Sequence, residues 1–116
     1  MNLALTTRTK GDVAFLYCRG RLVYERQAAA LCDAVKGLVR QYRSVVVDLN
    51  DVSDIDGRGI GTLAECVANA KESGARLILC RVPRKVRTVL DLTHISSLVD
   101  ITTSEHDAWE RSRAAA

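Results

Sequence analysis

The run "SVVVDL", residues 44–49, constrains this chain more than any other feature. It is almost continuously apolar and rich in β-branched valine, the pattern of a strand covered on both faces, as in a parallel sheet. Segments of helical period stand on either side of it. Before it, Ala28, Leu31, Cys32, Val35, Leu38, Val39 and Tyr42 recur at three- and four-residue steps, with Arg26, Asp33, Lys36 and Arg40 between them. This spacing predicts a helix from Glu25 to about Tyr42. After it, Ile60, Leu63, Ala64, Val67 and Ala68 form the inward stripe of a second predicted helix, stopped by Ser73-Gly74. A doubly covered strand between two amphipathic helices points to a layered α/β fold.

The remaining segments extend that alternation. "NLALTTR" and "VAFLYCRG" read as two strands joined by a turn at Gly11-Asp12, the second apolar on both faces. "ARLILCRV" is a further strand. Pro83 opens a short helix, "RKVRTVLDL", with Val86, Val89 and Leu90 inward, and "SLVDI" is a last strand. "SEHDAWERSR" closes the chain as a helix, with Ser104 and Asp107 in a capping box and Trp109 as the residue that docks it. The expected architecture is one α/β domain over residues 1–116. It has a mixed, mostly parallel β-sheet of about five strands and about four α-helices, with 110–116 frayed.

Composition narrows the function. Apolar residues make up 47% and charged residues 27%, as in ordinary soluble domains. The net charge is only +3 and aromatics are 4%, with no basic run interleaved with them, so no nucleic-acid partner is expected. The apolar runs are far too short to insert in a membrane, and the N-terminus lacks the layout of a signal peptide. Cys18, Cys32, Cys66 and Cys80 form no C-x-x-C pair, and each lies among apolar neighbours. They read as buried thiols of a cytoplasmic protein rather than disulfides or zinc ligands. His94 and His106 have no ligand-like spacing to any of them, so no metal and no cofactor is expected. No paired carboxylates, Cys-His couple or Ser-His-Asp set can be assembled, and His94 reads as a helix-terminal cation or loop residue.

One segment asks for a function. "DIDGRGIGTL", residues 54–63, carries three glycines within five residues, directly after the central strand. A Walker loop would need G-x-x-x-x-G-K-[ST], and the lysine and hydroxyl are not placed. A dinucleotide fingerprint would need its third glycine one residue beyond Gly61. A calcium loop with Gly57 at its sixth position would need ligands where Val52 and Leu63 stand. What survives is a helix start: Asp56 caps, Gly57 and Gly59 allow a tight turn, and Gly61 allows close packing against the sheet. The carboxyl end of a central parallel strand is also where open α/β sheets place their binding sites.

These residues resemble a known family. "VVVDLNDVSDIDGRGIGTL" is similar to the signature of STAS domains, the fold of anti-sigma factor antagonists, in which a strand ending in Asp-Leu leads by a short turn to an aspartate that opens a helix. Asp48-Leu49, Val52, Asp56, Gly59, Gly61 and Leu63 match that layout. "YCRGRL" resembles the family's Gly-x-Leu strand end at Gly20 and Leu22, and "GARLILCRVPRKVRTVLDLT" its fourth strand and third helix. The likeness covers nearly the whole chain.

The resemblance implies a non-enzymatic, cytoplasmic protein-binding regulator. Its partner surface would be Asp56, Gly57, Arg58, Gly59 and Ile60, with Val23 and Tyr24 beside it. The implied partner is an anti-sigma factor of the GHKL kinase fold or a related regulator. The alternative is an accessory STAS subunit of a lipid or anion transporter, attached through a partner ATPase. Two departures stand out. The family's phosphorylated serine or threonine follows the aspartate, and that position is Gly57, followed by Arg58. The nearest hydroxyls, Ser53 and Thr62, lie outside it. Where many antagonists carry an acid near the kinase-binding face, this chain has Val23. For Leu22, Val23 and Tyr24, self-association as a homodimer and a core role are both open.

Overall fold

The computed structural model describes residues 3–114, with the side chains of Tyr24 and Glu25 outside the description. The elements are β1 (Ala4–Lys10), β2 (Val13–Leu22), α1 (Tyr24–Gln41), β3 (Ser44–Ile55), α2 (Gly57–Ser73), β4 (Arg76–Cys80), α3 (Arg84–Leu92), β5 (Asp100–Thr102) and α4 (Glu105–Arg113). They form one five-stranded sheet in the order β1-β2-β3-β4-β5. β1 runs antiparallel to β2, and the other neighbours are parallel. The alternation along the chain dictates this, since each parallel step needs a crossover helix.

Both faces of the sheet are buried. On one, Leu16, Val45, Val47, Leu77 and Leu79 meet the inward stripes of α1, α2 and α3. On the other, Val13, Phe15, Val46, Ile78 and Cys80 meet α4 through Ala108. Val46 and Ile78 are wholly buried, which is why "SVVVDL" lacks the polar alternation of a half-exposed strand.

Several expectations need correction. The inward face of α2 is Gly59, Thr62, Leu63, Cys66, Val67 and Ala70; Ala64 and Ala68 are exposed and Ile60 is half-buried. The last strand begins later than "SLVDI" suggests, because Ile95–Ser97 form a short 3₁₀ turn. Trp109 does pack against the sheet as expected, but half-buried, and Ala108 beside it is the residue sealed there. Of the residues expected to fray, 110–113 are helical as the end of α4, and 115–116 lie outside the described residues. Arg113 Nη2 donates to Asp12 Oδ1 at 2.6 Å, and Arg76 donates to the carbonyl of Arg111. The end of α2 is as expected: Gly74 takes the left-handed conformation, φ 73°, that terminates a helix without a Cβ clash.

Candidate docking site at the start of α2

The central pair of strands outgrows its neighbours. β1 leaves β2 at the pair Ala4–Arg19, and β4 leaves β3 at Asp48–Cys80, yet β2 and β3 remain paired up to Leu22–Ile55. Two irregularities, between Tyr17 and Arg19 and between Gly20 and Arg21, fit extra β3 residues into this extension. Bulges of this kind bend and twist a ribbon. The result is a two-stranded parallel tongue beyond the sheet, which the sequence pattern, read as a strand ending at Leu49 followed by a turn, does not reveal.

The tongue delivers Asp56 to the start of α2. Asp56 has extended backbone, and its Oδ1 accepts hydrogen bonds from the N–H groups of Arg58 and Gly59, each 3.0 Å long. Its carbonyl accepts the first helical bond, from Ile60 N at 3.0 Å. This is the expected N-cap, and it satisfies donors that a helix start otherwise leaves unpaired. Because the carboxylate occupies them, those N–H groups do not form a vacant anion cradle.

The glycines divide differently from expectation. A Cβ built on Gly59 would stand 2.3 Å from the carbonyl oxygen of Leu22 and 2.8 Å from Ile55 Cγ1. Gly59, not Gly61, is therefore the close-packing glycine. At Gly57 and Gly61 a Cβ would meet nothing within 4 Å among the described residues. Gly57 and Arg58 are exposed, Asp56 and Ile60 are half-buried, and Gly59 is buried. Leu22 and Val23 are 1% and 5% exposed, so both serve the core and Val23 offers its side chain to no outside surface. The side chain of Tyr24 lies outside the described residues. Of the two hydroxyls near the turn, Thr62 is buried, whereas Ser53 is exposed and its Oγ donates to the Gly20 carbonyl at 3.3 Å.

Charge surrounds this start. Among the described residues, Arg58 has no carboxylate partner. Asp54, on the tongue, is bridged by Lys85 Nζ at 3.1 Å and by Arg21 Nη2 at 3.4 Å. The hydrogen bond from the Lys85 ammonium, with help from the Ile55 N–H, holds the Asp54 carboxyl below its usual range. Below Arg58, a groove of about 680 Å³ runs between α1 and α2, lined by Ala28, Cys32 and Lys36 on one side and Gly61 and Glu65 on the other. Cys32 Sγ donates to Glu65 Oε2 at 3.1 Å. Burial first, and then this bond, push the thiol pKa upward, which makes it a hydrogen-bond donor rather than a nucleophile.

At the base of the tongue lies a feature that sequence reasoning missed. Asp48 is 2% exposed, and its Oδ2 accepts from Arg81 Nε at 2.9 Å and lies 2.8 Å from Arg81 Nη2. Its Oδ1 accepts from Asn50 N at 2.9 Å. The family-like Asp-Leu pair thus anchors the point where β3 passes the end of β4. Arg81 reaches it from a left-handed backbone, φ 50°. No helix among the described residues is long and apolar enough to cross a membrane.

Comparison with known proteins agrees with this architecture. The STAS domain family matches residues 4–108. A Thermotoga maritima protein assigned to the anti-sigma factor antagonists superposes with a TM-score of 0.85 at 23% identity, over 95% of both chains. The Bacillus cell-fate determinant SpoIIAA, in its phosphorylated form, gives 0.73 at 13% identity over 95% of this chain and 100% of its own. The murine anion transporter Slc26a9 contains a region that gives 0.74 at 18% identity, over 90% of this chain and 18% of the transporter. At such identities the likeness to these structures is one of fold. With the family match over nearly its full length, the chain belongs to the STAS domain family.

Proposed function

We propose that this chain is a non-enzymatic, cytoplasmic protein-binding regulator of the anti-sigma factor antagonist kind, docking through the start of α2. The observation that carries the reading is the exposed Gly57-Arg58 shoulder on a helix start locked from beneath by Asp56 and Gly59. A rigid shoulder loses little conformational entropy when a partner covers it. Its partner is an anti-sigma factor with the GHKL kinase fold or a related regulator, met by Arg58 from the side.

The usual electrostatic switch is absent from its usual place. A phosphate would add about −1.5 to −2 charges to the surface at neutral pH. Gly57 has no hydroxyl to carry it, and Arg58 puts a permanent positive charge beside the same spot. The interaction is therefore constitutive with respect to residue 57.

Affinity capture from the native cell tests this directly. Wild-type chain is expected to retain a kinase-fold regulator, and Arg58→Glu to release it while leaving the melting temperature unchanged. Retention of every partner by Arg58→Glu would place the docking surface elsewhere. Capture of a transporter ATPase instead would favour the accessory-subunit role.

A further inference from the structure

The opposite face of the sheet carries a second concavity, remote from α2. Three of the five aromatic residues, Phe15, Tyr17 and Trp109, converge on one recess of about 350 Å³ between the β1–β2 hairpin and α4. The hairpin register explains how. Arg8 pairs with Phe15, and Lys10 with Val13, so the alternation of a strand sends Arg8 and Lys10 to the same face as Phe15 and Tyr17. Basic and aromatic residues that never interleave in the sequence are interleaved by folding.

The cations there are placed on rings rather than on acids. Lys10 Nζ lies 4.1 Å from the centroid of Trp109, and Arg8 Cζ lies 5.9 Å from that of Tyr17. Among the described residues neither has a carboxylate partner. Arg113 also stands over Trp109, at 4.8 Å, but its charge is answered by Asp12. Among the described residues, the single carboxylate lining the recess, Glu105, is engaged by a short hydrogen bond from the Tyr17 hydroxyl. Burial, and then Glu105, push the Tyr17 pKa to about 12, so this phenol remains a donor at neutral pH.

Docking α4 accounts for part of this. Ala108 is sealed against the sheet, and the half-buried Trp109 packs beside it. That packing does not require a concavity with two cations at its rim that no described carboxylate pairs. The volume lies within the range of small-molecule sites, which combine an apolar lining with a few placed polar groups. We propose that this recess binds a flat aromatic anion, which displaces the Lys10 ammonium from the Trp109 ring, lays its own ring system there and holds its acidic group between Arg8 and Lys10. The site is independent of the docking surface, since it lies across the sheet from α2.

The experiment uses the intact chain and 8-anilinonaphthalene-1-sulfonate as the probe, followed through the emission of Trp109, the only tryptophan. Saturable quenching of Trp109 with energy transfer to the probe is expected. The Arg8→Ala/Lys10→Ala double variant should bind about tenfold more weakly, and neutral N-phenyl-1-naphthylamine should bind the wild-type chain more weakly by a similar factor. The neutral probe needs no variant and so does not depend on how a variant folds. Absence of saturable quenching overturns the proposal. So does either comparison differing by less than about threefold; differences of threefold or more support it.

Discussion

Gly59 on α2 touches the backbone carbonyl of Leu22 on β2, with 2.3 Å between that oxygen and the place a Cβ would occupy. The oxygen is not free to retreat, because it also faces Asp56 N at 3.4 Å. Gly59→Ala must therefore push α2 off the tongue, at a cost of about 1–3 kcal/mol. Gly61→Ala, whose Cβ points into open space, should instead stabilise the helix by up to about 1 kcal/mol. Urea denaturation of the two variants reads both signs in one series.

The cap can be separated from the shoulder. Asp56→Ala removes the acceptor for Arg58 N and Gly59 N and should cost about 0.5–2 kcal/mol. Asp56→Asn keeps a capping oxygen and should recover most of the loss. Denaturation midpoints measure the difference, and partner affinity should follow the same order.

Position 57 offers a cleaner separation still. Among the described residues a Cβ there meets nothing within 4 Å, and the residue opens α2, where a negative charge is favourable by about 0.3–1 kcal/mol. Gly57→Asp should leave stability equal or raised while weakening the proposed partner through its charge. A thermal melt alongside a binding titration distinguishes these outcomes, since a merely structural site would move both together.

The Asp48–Arg81 pair predicts an asymmetry. The carboxylate is buried, whereas the Arg81 side chain is 40% exposed. Arg81→Gln leaves the buried carboxylate without its cation, at a cost below the roughly 3–5 kcal/mol of a fully buried pair because water reaches the Arg81 side. Asp48→Asn leaves a guanidinium that can turn to water, and it should cost markedly less. The left-handed backbone at residue 81 does not confuse the comparison, because Arg and Gln bear the same penalty there.

The cysteines set an alkaline limit. Burial pushes the thiols of Cys18, Cys66 and Cys80 from an ordinary value of 9.0 to about 12. The unfolded chain ionises them first, so stability is undiminished below pH 9 and falls as pH rises from 9 toward 12. Melting temperatures across that window should decline, and a thiol reagent at pH 8 should label these three only after unfolding.

Features written in local pattern are legible in the sequence. The α1 stripe, the doubly buried β3 core, the Gly74 stop and the Asp56 and Ser104 caps all depend on residues within a turn or two of one another. The phase of α2 is not legible, because it is set by Gly59 meeting Leu22, and so helical period alone wrongly placed Ala64 and Ala68 inside. The same long-range contact hides which glycine is sterically required. Val23 looks like a surface residue only while the tongue is read as a loop; once β2 and β3 pair to Leu22–Ile55, it closes the core. The aromatic recess escapes for a related reason, since Tyr17 and Trp109 are brought together only by the chain's final helix.

The two strands of the tongue run parallel, joined by the whole of α1, and so cannot form as a local hairpin. A peptide copied from residues 50–63 would lack the Leu22 carbonyl against which Gly59 rests. The shoulder therefore exists only when distant parts of the chain have already come together. A partner of the proposed kind would recognise the assembled molecule and pass over fragments and half-folded chains.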